Sequence, residues 1–195
     1  MKKKNVFQFK IMLKGIEPFI WRRIQIAESC TFWDLHAAIQ DAVGWKEKHS
    51  YFFTVKDAGT KREVFIGSSD IQEDDDILPG WQFKVQDYLK FSANEVMLYL
   101  YDFSDNWEHF IEFEGSFPKQ EGVDYPVCLG GERACPPENI GGIIGYERYL
   151  QILFNPRHTF YTETLQSLGD FEPEYFDVSK VVFVHFKEKM HAAFS

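Results

Sequence analysis

Two pairs of strand-like segments constrain the fold of this 195-residue chain more than any other feature. Residues 6–13 and 21–26 alternate between apolar and polar side chains and are separated by a turn that contains glycine and proline. Residues 96–103 and 107–114 form a second such pair, separated by a short polar turn. Alternating segments joined by a short turn are typical of β-hairpins. The sequence therefore predicts a sheet in which neighbouring strands are mostly antiparallel.

A helix is predicted after the first hairpin. Thr31 has the character of an N-cap, and Asp34 lies three residues later, where a side chain can bond back to the cap. Apolar residues at four-residue spacing follow, and a glycine ends the pattern: Leu35, Ile39, Val43 and Gly44. His36 lies on this helix and is expected to be a histidine at the edge of the core.

The remaining segments complete an α+β prediction. Three further strands are expected, at residues 51–55, 63–66 and 181–184. Three further helices are expected, at residues 146–154, 162–168 and 187–194. An acidic loop near residues 67–80 and a Gly/Pro-rich loop near residues 115–145 are expected to lack regular elements. The sequence has no internal repeat and no linker-like tract, so one domain spanning residues 1–195 is predicted. The predicted fold class is α+β, a twisted, mostly antiparallel sheet with helices packed on one face.

Composition limits the classes of function. The formal net charge of −9 disfavours nucleic acid as a partner, because phosphate is bound by Lys and Arg. No run of about 18 apolar residues is present, so no membrane span is expected. Three cysteines without a recognisable signal peptide favour a reducing, cytoplasmic location. Aromatic residues make up 17% of the chain, so large flat side chains are expected to fill much of the core.

Several stretches of the sequence resemble one known family. They are Pro18-Phe19-Ile20-Trp21-Arg22-Arg23-Ile24, Thr31-Phe32-Trp33-Asp34-Leu35-His36, Gly44-Trp45 with His49, Tyr101-Asp102-Phe103-Ser104-Asp105-Asn106-Trp107-Glu108-His109, and Cys135-Pro136-Pro137-Glu138-Asn139-Ile140-Gly141-Gly142. In this order they are similar to the plasmid pRiA ORF-three-like family, over nearly the whole chain. The resemblance implies no established activity, and no helix-turn-helix supports the resolvase or repressor labels of some members. The chain departs from the family pattern at Ser104, where glycine is usual, and at Ile140, where many members have cysteine.

The turn of the second hairpin determines which side chains face one another. We expect a two-residue loop at Asp105-Asn106, because both residues tolerate positive φ. In the register that follows, Asp102 faces His109, Leu100 faces Ile111, and Leu98 faces Phe113. A three-residue loop would instead place Asp102 opposite Glu108, which is an unfavourable like-charge pair.

A pair formed by Asp102 and His109 can carry chemistry. The carboxylate would orient the imidazole, which suits a general base or a metal ligand. One functional hypothesis is therefore a metal-assisted hydrolase or nuclease using Asp102, Asp105 and His109, with Glu138 as a further candidate. The alternative is that Asp102 and His109 only satisfy each other's hydrogen bonds at the edge of the sheet.

Cys128 and Cys135 are the other candidate metal ligands. Six residues separate them, whereas structural zinc sites favour two to four residues between paired cysteines. They would need His109 or His49 to complete a site, and small buried side chains are the default interpretation. We therefore expect no cofactor, with a divalent metal as the alternative.

The leading functional hypothesis is a module that binds a protein or peptide in an aromatic groove near Trp45 and Trp107. It requires that the two indoles are not both fully buried. The candidate binding residues are Trp45, Tyr101, Asp105, Asn106, Trp107, Pro136, Pro137, Glu138 and Tyr146. A third hypothesis is nucleic-acid binding associated with mobile elements, for which Lys2-Lys3-Lys4 and Arg22-Arg23 would have to form a basic patch. No oligomeric state is predicted.

Overall fold

One eight-stranded sheet dominates the described structure, a computed structural model that covers residues 4–57, 59–68, 76–90, 95–169, 171–184 and 186. In chain order its strands are β1 (Asn5–Leu13), β2 (Trp21–Ala27), β3 (Tyr51–Lys56), β4 (Glu63–Ser68), β5 (Ile77–Pro79), β6 (Glu95–Tyr101), β7 (Trp107–Pro118) and β8 (Val127–Glu132). Across the sheet the order is β5-β4-β3-β6-β7-β1-β2-β8. Neighbouring strands are antiparallel except β4 and β5, which are parallel. The prediction of a mostly antiparallel sheet is confirmed.

The described residues also form three α-helices: α1 (Phe32–Val43), α2 (Gly142–Leu153) and α3 (Tyr161–Leu168). α1 begins as predicted, because Thr31 Oγ1 accepts a hydrogen bond from the Asp34 N–H at 3.1 Å. In return, Asp34 Oδ2 accepts one from the Thr31 N–H at 2.8 Å. α1 ends at Gly44, whose φ of +84° suits glycine. None of the helices in the described ranges is long and apolar enough to cross a membrane.

α1 buries its apolar stripe against one face of the sheet. Phe32 packs against Phe53 of β3, with ring centroids 5.3 Å apart. Side chains from four strands fill the same core: Phe7, Phe9, Ile11, Ile24, Met97, Tyr99, Trp107 and Ile111. α2 begins elsewhere, against the loop between β6 and β7, where Gly142 lies beside the backbone of Asp105. The packing of all helices on one face therefore stays a prediction.

Residues 115–145, predicted to lack regular elements, are partly structured. β7 continues to Pro118, β8 forms a sheet edge beside β2, and α2 begins at Gly142. The sequence of β8, VCLGGE, has no alternation of apolar and polar residues, so pairing with β2 and not a local pattern determines its extended form. In the predicted acidic loop, β5 pairs with β4, and residues 69–75 lie outside the described part of the chain.

Two predictions near the C-terminus have different outcomes. Residues 181–184 are not a strand, and a short 3₁₀ helix, Val178–Lys180, precedes them. Their β-branched composition favours a strand, but they join no edge of the described sheet. The helix predicted at residues 187–194 lies outside the described residues.

The register of the hairpin formed by β6 and β7 differs from both predicted alternatives. The observed pairs are Tyr101–Trp107, Tyr99–His109 and Met97–Ile111. Residues 102–106 form the connecting loop, in which Asp102 Oδ1 accepts hydrogen bonds from the N–H groups of Ser104 at 3.0 Å and Asp105 at 3.3 Å. Because an aspartate that binds nearby backbone amides stabilises a turn, this longer loop replaces the predicted two-residue turn.

The corrected register reverses the faces of β6. Leu98 and Leu100 point away from the core, whereas Tyr99 and Tyr101 point into it. The predicted pairing of Asp102 with His109 is therefore wrong, because Asp102 lies in the loop and His109 lies opposite Tyr99.

Candidate functional site

Trp45 and Trp107 are interior side chains. Their residues are 3% and 0% exposed, respectively, and the two rings lie 5.7 Å apart. Trp45 also stacks on Tyr101, with centroids 5.1 Å apart and an angle of 20° between the ring planes. The aromatic groove predicted from these residues is therefore contradicted: the rings are used to fill the core.

Trp45 and Glu138 hold the segment that follows α1, residues 44–50, in place. The Trp45 indole N–H donates to the carbonyl of Pro136 at 2.7 Å. Glu138 accepts two hydrogen bonds, from the Tyr101 hydroxyl at 2.7 Å and from the Lys46 N–H at 3.0 Å. The Tyr101 hydroxyl in turn accepts the N–H of Lys48 at 3.0 Å. The Pro-Pro-Glu segment thus folds over the end of the β6–β7 hairpin and fixes the 44–50 segment.

The other predicted binding residues also have structural roles here. Asp105 Oδ2 accepts the N–H of Gly141 at 3.2 Å, which ties the hairpin loop to the start of α2. Asn106 closes that loop by donating its N–H to the Asp102 carbonyl at 2.6 Å. Pro137 is half-buried. Tyr146 is buried in the core, and burial raises its pKa to about 12.

Asp102 does contact a histidine, but the histidine is His49. Asp102 Oδ2 lies 3.5 Å from His49 Nε2. The Asp102 side chain is 5% exposed and that of His49 is 29% exposed. Asp102 has a φ of +57°, a left-handed conformation that costs a non-glycine residue about 1–2 kcal/mol. Its hydrogen bonds to the loop amides hold the carboxylate in this conformation, which indicates a positioned group rather than a chance surface contact.

His109 is a buried, neutral histidine. Burial lowers its pKa to about 4, and the nearby backbone of Trp107 and Tyr99 offsets part of the lowering. Neither ring nitrogen has a hydrogen-bond partner of good geometry in the part of the chain that the structure describes. The ring lies edge-on to Trp45, with centroids 5.5 Å apart. His109 is therefore a core residue, and it lacks the pairing with Asp102 on which its predicted catalytic role depended.

His36, predicted at the edge of the core, is 1% exposed and lies in a polar cluster with Gln40, Glu47 and Tyr99. Gln40 Nε2 donates to the Tyr99 hydroxyl at 3.0 Å, and that hydroxyl lies 2.7 Å from His36 Nδ1. His36 Nε2 lies 3.0 Å from Glu47 Oε1, and the Glu47 N–H donates to Gln40 Oε1 at 3.1 Å. Since the Tyr99 hydroxyl already accepts from Gln40, it can donate its proton to His36 Nδ1, which assigns the His36 proton to Nε2. The bond to Gln40 and the contact with His36 fix Glu47, which also has a positive φ of 56°.

His36, Glu47 and His49 line one pocket of about 300 Å³, called here the His49 pocket. Its lining residues are Trp33, His36, Glu47, Lys48, His49, Ser50, Tyr51 and Ser68. It opens where α1, the 44–50 segment, the start of β3 and the end of β4 meet. Its volume is at the lower end of the range for small-molecule sites, about 300–1,000 Å³.

Sequence reasoning identified Asp102 as a candidate but missed its partner. The signal that could have found His49 is its position directly after the anchored residues Trp45 and Lys46, at the start of a strand. Which strand end lies beside the β6–β7 loop depends on the pairing of β3 with β6, which is a tertiary property.

The predicted metal ligands are not brought together. Cys128 Sγ lies 3.5 Å from the carbonyl oxygen of Gly130, and burial raises the pKa of both Cys128 and Cys135, which keeps them as thiols. Among the residues that the structure describes, no three His, Cys, Asp or Glu side chains are grouped so that they could hold a metal ion. His109, Cys128 and Cys135 therefore do not form the predicted site.

The arginines of the predicted basic patch are engaged within the protein. Arg22 is buried, donates to the Ala42 carbonyl at 3.0 Å and lies 3.8 Å from the ring centroid of Phe176. Arg23 binds Glu114 through two hydrogen bonds of 2.7 Å. Residues 2 and 3 of the predicted patch lie outside the described part.

Comparison with known proteins identifies the family. The model of the family described as plasmid pRiA4b ORF-3-like protein matches residues 5–180, and the chain belongs to this family. It is 32% identical over 165 residues to the uncharacterized protein y4hQ of Sinorhizobium fredii, which covers 85% of this chain and 81% of that protein. The crystal structure of MM3350, a protein of unknown function from Methanosarcina mazei Go1, has a TM-score of 0.85 and 41% sequence identity. That match covers 92% of this chain and 98% of the MM3350 chain. The resemblance found in the sequence is confirmed.

Proposed function

We propose that this chain is an enzyme in which His49 acts as a general base on a small polar substrate bound in the His49 pocket. The observation that supports this proposal is the contact between His49 and Asp102, in which a partly exposed imidazole lies against a buried carboxylate. General acid–base catalysis needs an imidazole that substrate can reach and a second group that holds it in place.

Asp102 orients the imidazole. Its carboxylate lies against Nε2 and so favours the tautomer that carries the proton on Nε2. Nδ1 then remains as the ring nitrogen that can accept a proton. At 3.5 Å the contact has the length of an ion pair rather than of a short hydrogen bond, and catalytic contacts of this kind often tighten when substrate binds.

The favoured reaction is hydrolysis by a water molecule that His49 deprotonates. Burial raises the pKa of Cys30, Cys128 and Cys135, which keeps the three cysteines as thiols, so covalent catalysis by a cysteine has less support. The proton taken from water by Nδ1 would be returned to the leaving group, which balances the step. This proposal takes up the alternative hypothesis of a metal-assisted hydrolase or nuclease, but it replaces His109 with His49 and does not require a metal.

The two other predicted functions have less support. A protein- or peptide-binding role has less support, because the aromatic residues expected to line its groove are all buried: Trp45, Tyr101, Trp107 and Tyr146. A nucleic-acid-binding role has less support, because Arg22 is engaged with the Ala42 carbonyl of α1 and Arg23 with Glu114 of β7.

The test is a hydrolysis screen with chromogenic carboxylic esters, phosphate esters and amides. The wild-type protein is compared with His49→Gln and with the control His158→Gln, since His158 lies in the turn between α2 and α3. We expect hydrolysis in at least one class, with kcat reduced about 100-fold or more in His49→Gln and unchanged in the control. Equal kcat in wild-type and His49→Gln proteins, or no hydrolysis by the wild type, would contradict the proposal.

A further inference from the structure

The Tyr51 hydroxyl is a buried hydrogen-bond donor with no partner. Tyr51 is 3% exposed, and within the described residues its hydroxyl makes no hydrogen bond. The ring is fixed, because it stacks on His36 with centroids 3.5 Å apart and planes 2° from parallel. Buried polar groups are nearly always paired, and Tyr51 lines the His49 pocket, so a molecule bound there can supply the partner that the described residues do not.

The hydroxyl is a donor and not a phenolate. Burial, and next the nearby carboxylate of Asp34, raise the pKa of Tyr51 well above its ordinary value, so the group stays protonated at neutral pH. The group that completes the site must therefore supply an acceptor oxygen. Gly80 packs close to this hydroxyl, because a Cβ on Gly80 would lie 3.0 Å from the Tyr51 hydroxyl oxygen.

The other side chains around the pocket favour a negatively charged acceptor. Ser68 lies directly opposite Tyr51 in the β3–β4 register. Lys48 is exposed, and its ammonium group has no ion-pair partner in the described part of the chain. The lining of the pocket therefore includes the cationic side chain of Lys48 and the hydroxyl side chains of Tyr51 and Ser68.

Each of the three carboxylates near Tyr51 has a donor group of the protein beside it. Glu47 faces the His36 imidazole at 3.0 Å, and Asp102 faces His49 at 3.5 Å. Asp34 accepts the N–H of Thr31 in the cap of α1.

We propose that the His49 pocket binds the oxyanion group of its ligand, a carboxylate or a phosphate, with the Tyr51 hydroxyl as the buried donor and Lys48 as the cation. The claim that this ligand is a substrate rests on the proposed function, whereas the claim that the pocket binds an oxyanion does not. An oxyanion bound at Tyr51 would place the rest of the molecule along the pocket wall that carries His49.

The experiment follows backbone amide chemical shifts during titration with sodium phosphate and, separately, with sodium acetate, at constant ionic strength balanced by sodium chloride. We expect saturable shifts at Ser50, Tyr51 and Ser68, and the anion that binds more tightly identifies the phosphate or carboxylate source. Tyr51→Phe should weaken that dissociation constant about tenfold, because it removes only the hydroxyl. The control Tyr88→Phe, on a tyrosine outside the pocket, should leave the constant unchanged.

The opposite results are as informative. The inference is overturned if the shifts do not saturate, if sodium chloride reproduces them, or if they are equally strong in Tyr51→Phe. In that case ordered water is the hydrogen-bond partner of the Tyr51 hydroxyl. If the anion binds but no ester, phosphate ester or amide is hydrolysed, the inference stands and the proposed function fails. If a neutral or cationic substrate is hydrolysed equally well by Tyr51→Phe, the inference fails and the proposed function stands.

Discussion

Asp102 contacts His49 and not His109, the histidine that lies near it in sequence: 3.5 Å separates Asp102 Oδ2 from His49 Nε2. His109 instead lies across the hairpin from Tyr99, and within the described residues neither of its ring nitrogens has a hydrogen-bond partner of good geometry. The two histidines consequently have different environments. His49 is partly exposed beside a buried carboxylate, which suits proton transfer, whereas His109 is enclosed in the core, which suits a neutral ring.

Replacing His109 should reduce the dependence of stability on acid pH. The pKa of His109 is lowered to about 4 in the folded protein, whereas that of an unfolded histidine is about 6.5. As the pH falls, the unfolded state therefore binds the proton before the folded state does. The contribution of neutral His109 to the free energy of unfolding is fully present above pH 6.5 and is lost as the pH falls from 6.5 to about 4. Between pH 7 and pH 5 this contributes a loss of roughly 2 kcal/mol in the free energy of unfolding.

The measurement is urea unfolding at pH 7 and pH 5 for wild type, His109→Phe and His109→Leu. We expect the fall between the two pH values to be smaller in both variants by roughly 2 kcal/mol. The control His158→Gln should keep the wild-type fall. An unchanged fall in both His109 variants would show that this imidazole takes up its proton in the folded state as readily as in the unfolded state.

Removing the Glu138 carboxylate should loosen the 44–50 segment. Glu138→Ala deletes the acceptor of the Tyr101 hydroxyl and of the Lys46 N–H. We expect amide hydrogen exchange at Lys46 and Lys48 to become about tenfold or more faster, while exchange in the middle of α1 does not change. The control Glu63→Ala lies on β4 and is exposed. If exchange at Lys46 and Lys48 stays at the wild-type rate, the Pro-Pro-Glu segment does not anchor the 44–50 segment.

Two glycines should respond differently to a methyl group. Gly44 and Gly142 both have positive φ, of 84° and 66°. A Cβ on Gly44 would meet nothing within 4 Å, whereas one on Gly142 would lie 2.3 Å from the carbonyl oxygen of Asp105. Gly44→Ala should cost about 1–2 kcal/mol from backbone strain alone. Gly142→Ala should cost roughly 3 kcal/mol or more, because the clash with backbone adds to that strain. Equal losses in thermal or urea unfolding would mean that α2 does not rest on the hairpin loop.

Local signals in the sequence were sufficient for the elements that form locally. The start of α1 was predicted to the residue, because Thr31 and Asp34 satisfy each other's backbone groups within one turn. The register of the β6–β7 hairpin was not predictable from its turn residues, because the Asp102 side chain binds the amides of Ser104 and Asp105 and lengthens the loop.

The candidate site was only half predictable for the same reason. Asp102 was recognised from its own hairpin, but His49 approaches it through the pairing of β3 with β6, which no local pattern reveals. Trp45 and Trp107 were interpreted as a groove because aromatic residues serve binding and packing equally well. Their burial, which distinguishes the two roles, depends on how the Pro-Pro-Glu segment covers them.

The most direct test of the central claim is the tautomer of His49, measured by long-range ¹H–¹⁵N correlation NMR at a pH where the ring is neutral. The account predicts that His49 carries its proton on Nε2, toward Asp102, and that Asp102→Ala mixes the two tautomers. A His49 protonated mainly on Nδ1 in the wild type, or a tautomer ratio that Asp102→Ala leaves unchanged, would contradict the claim that Asp102 orients this imidazole for proton transfer.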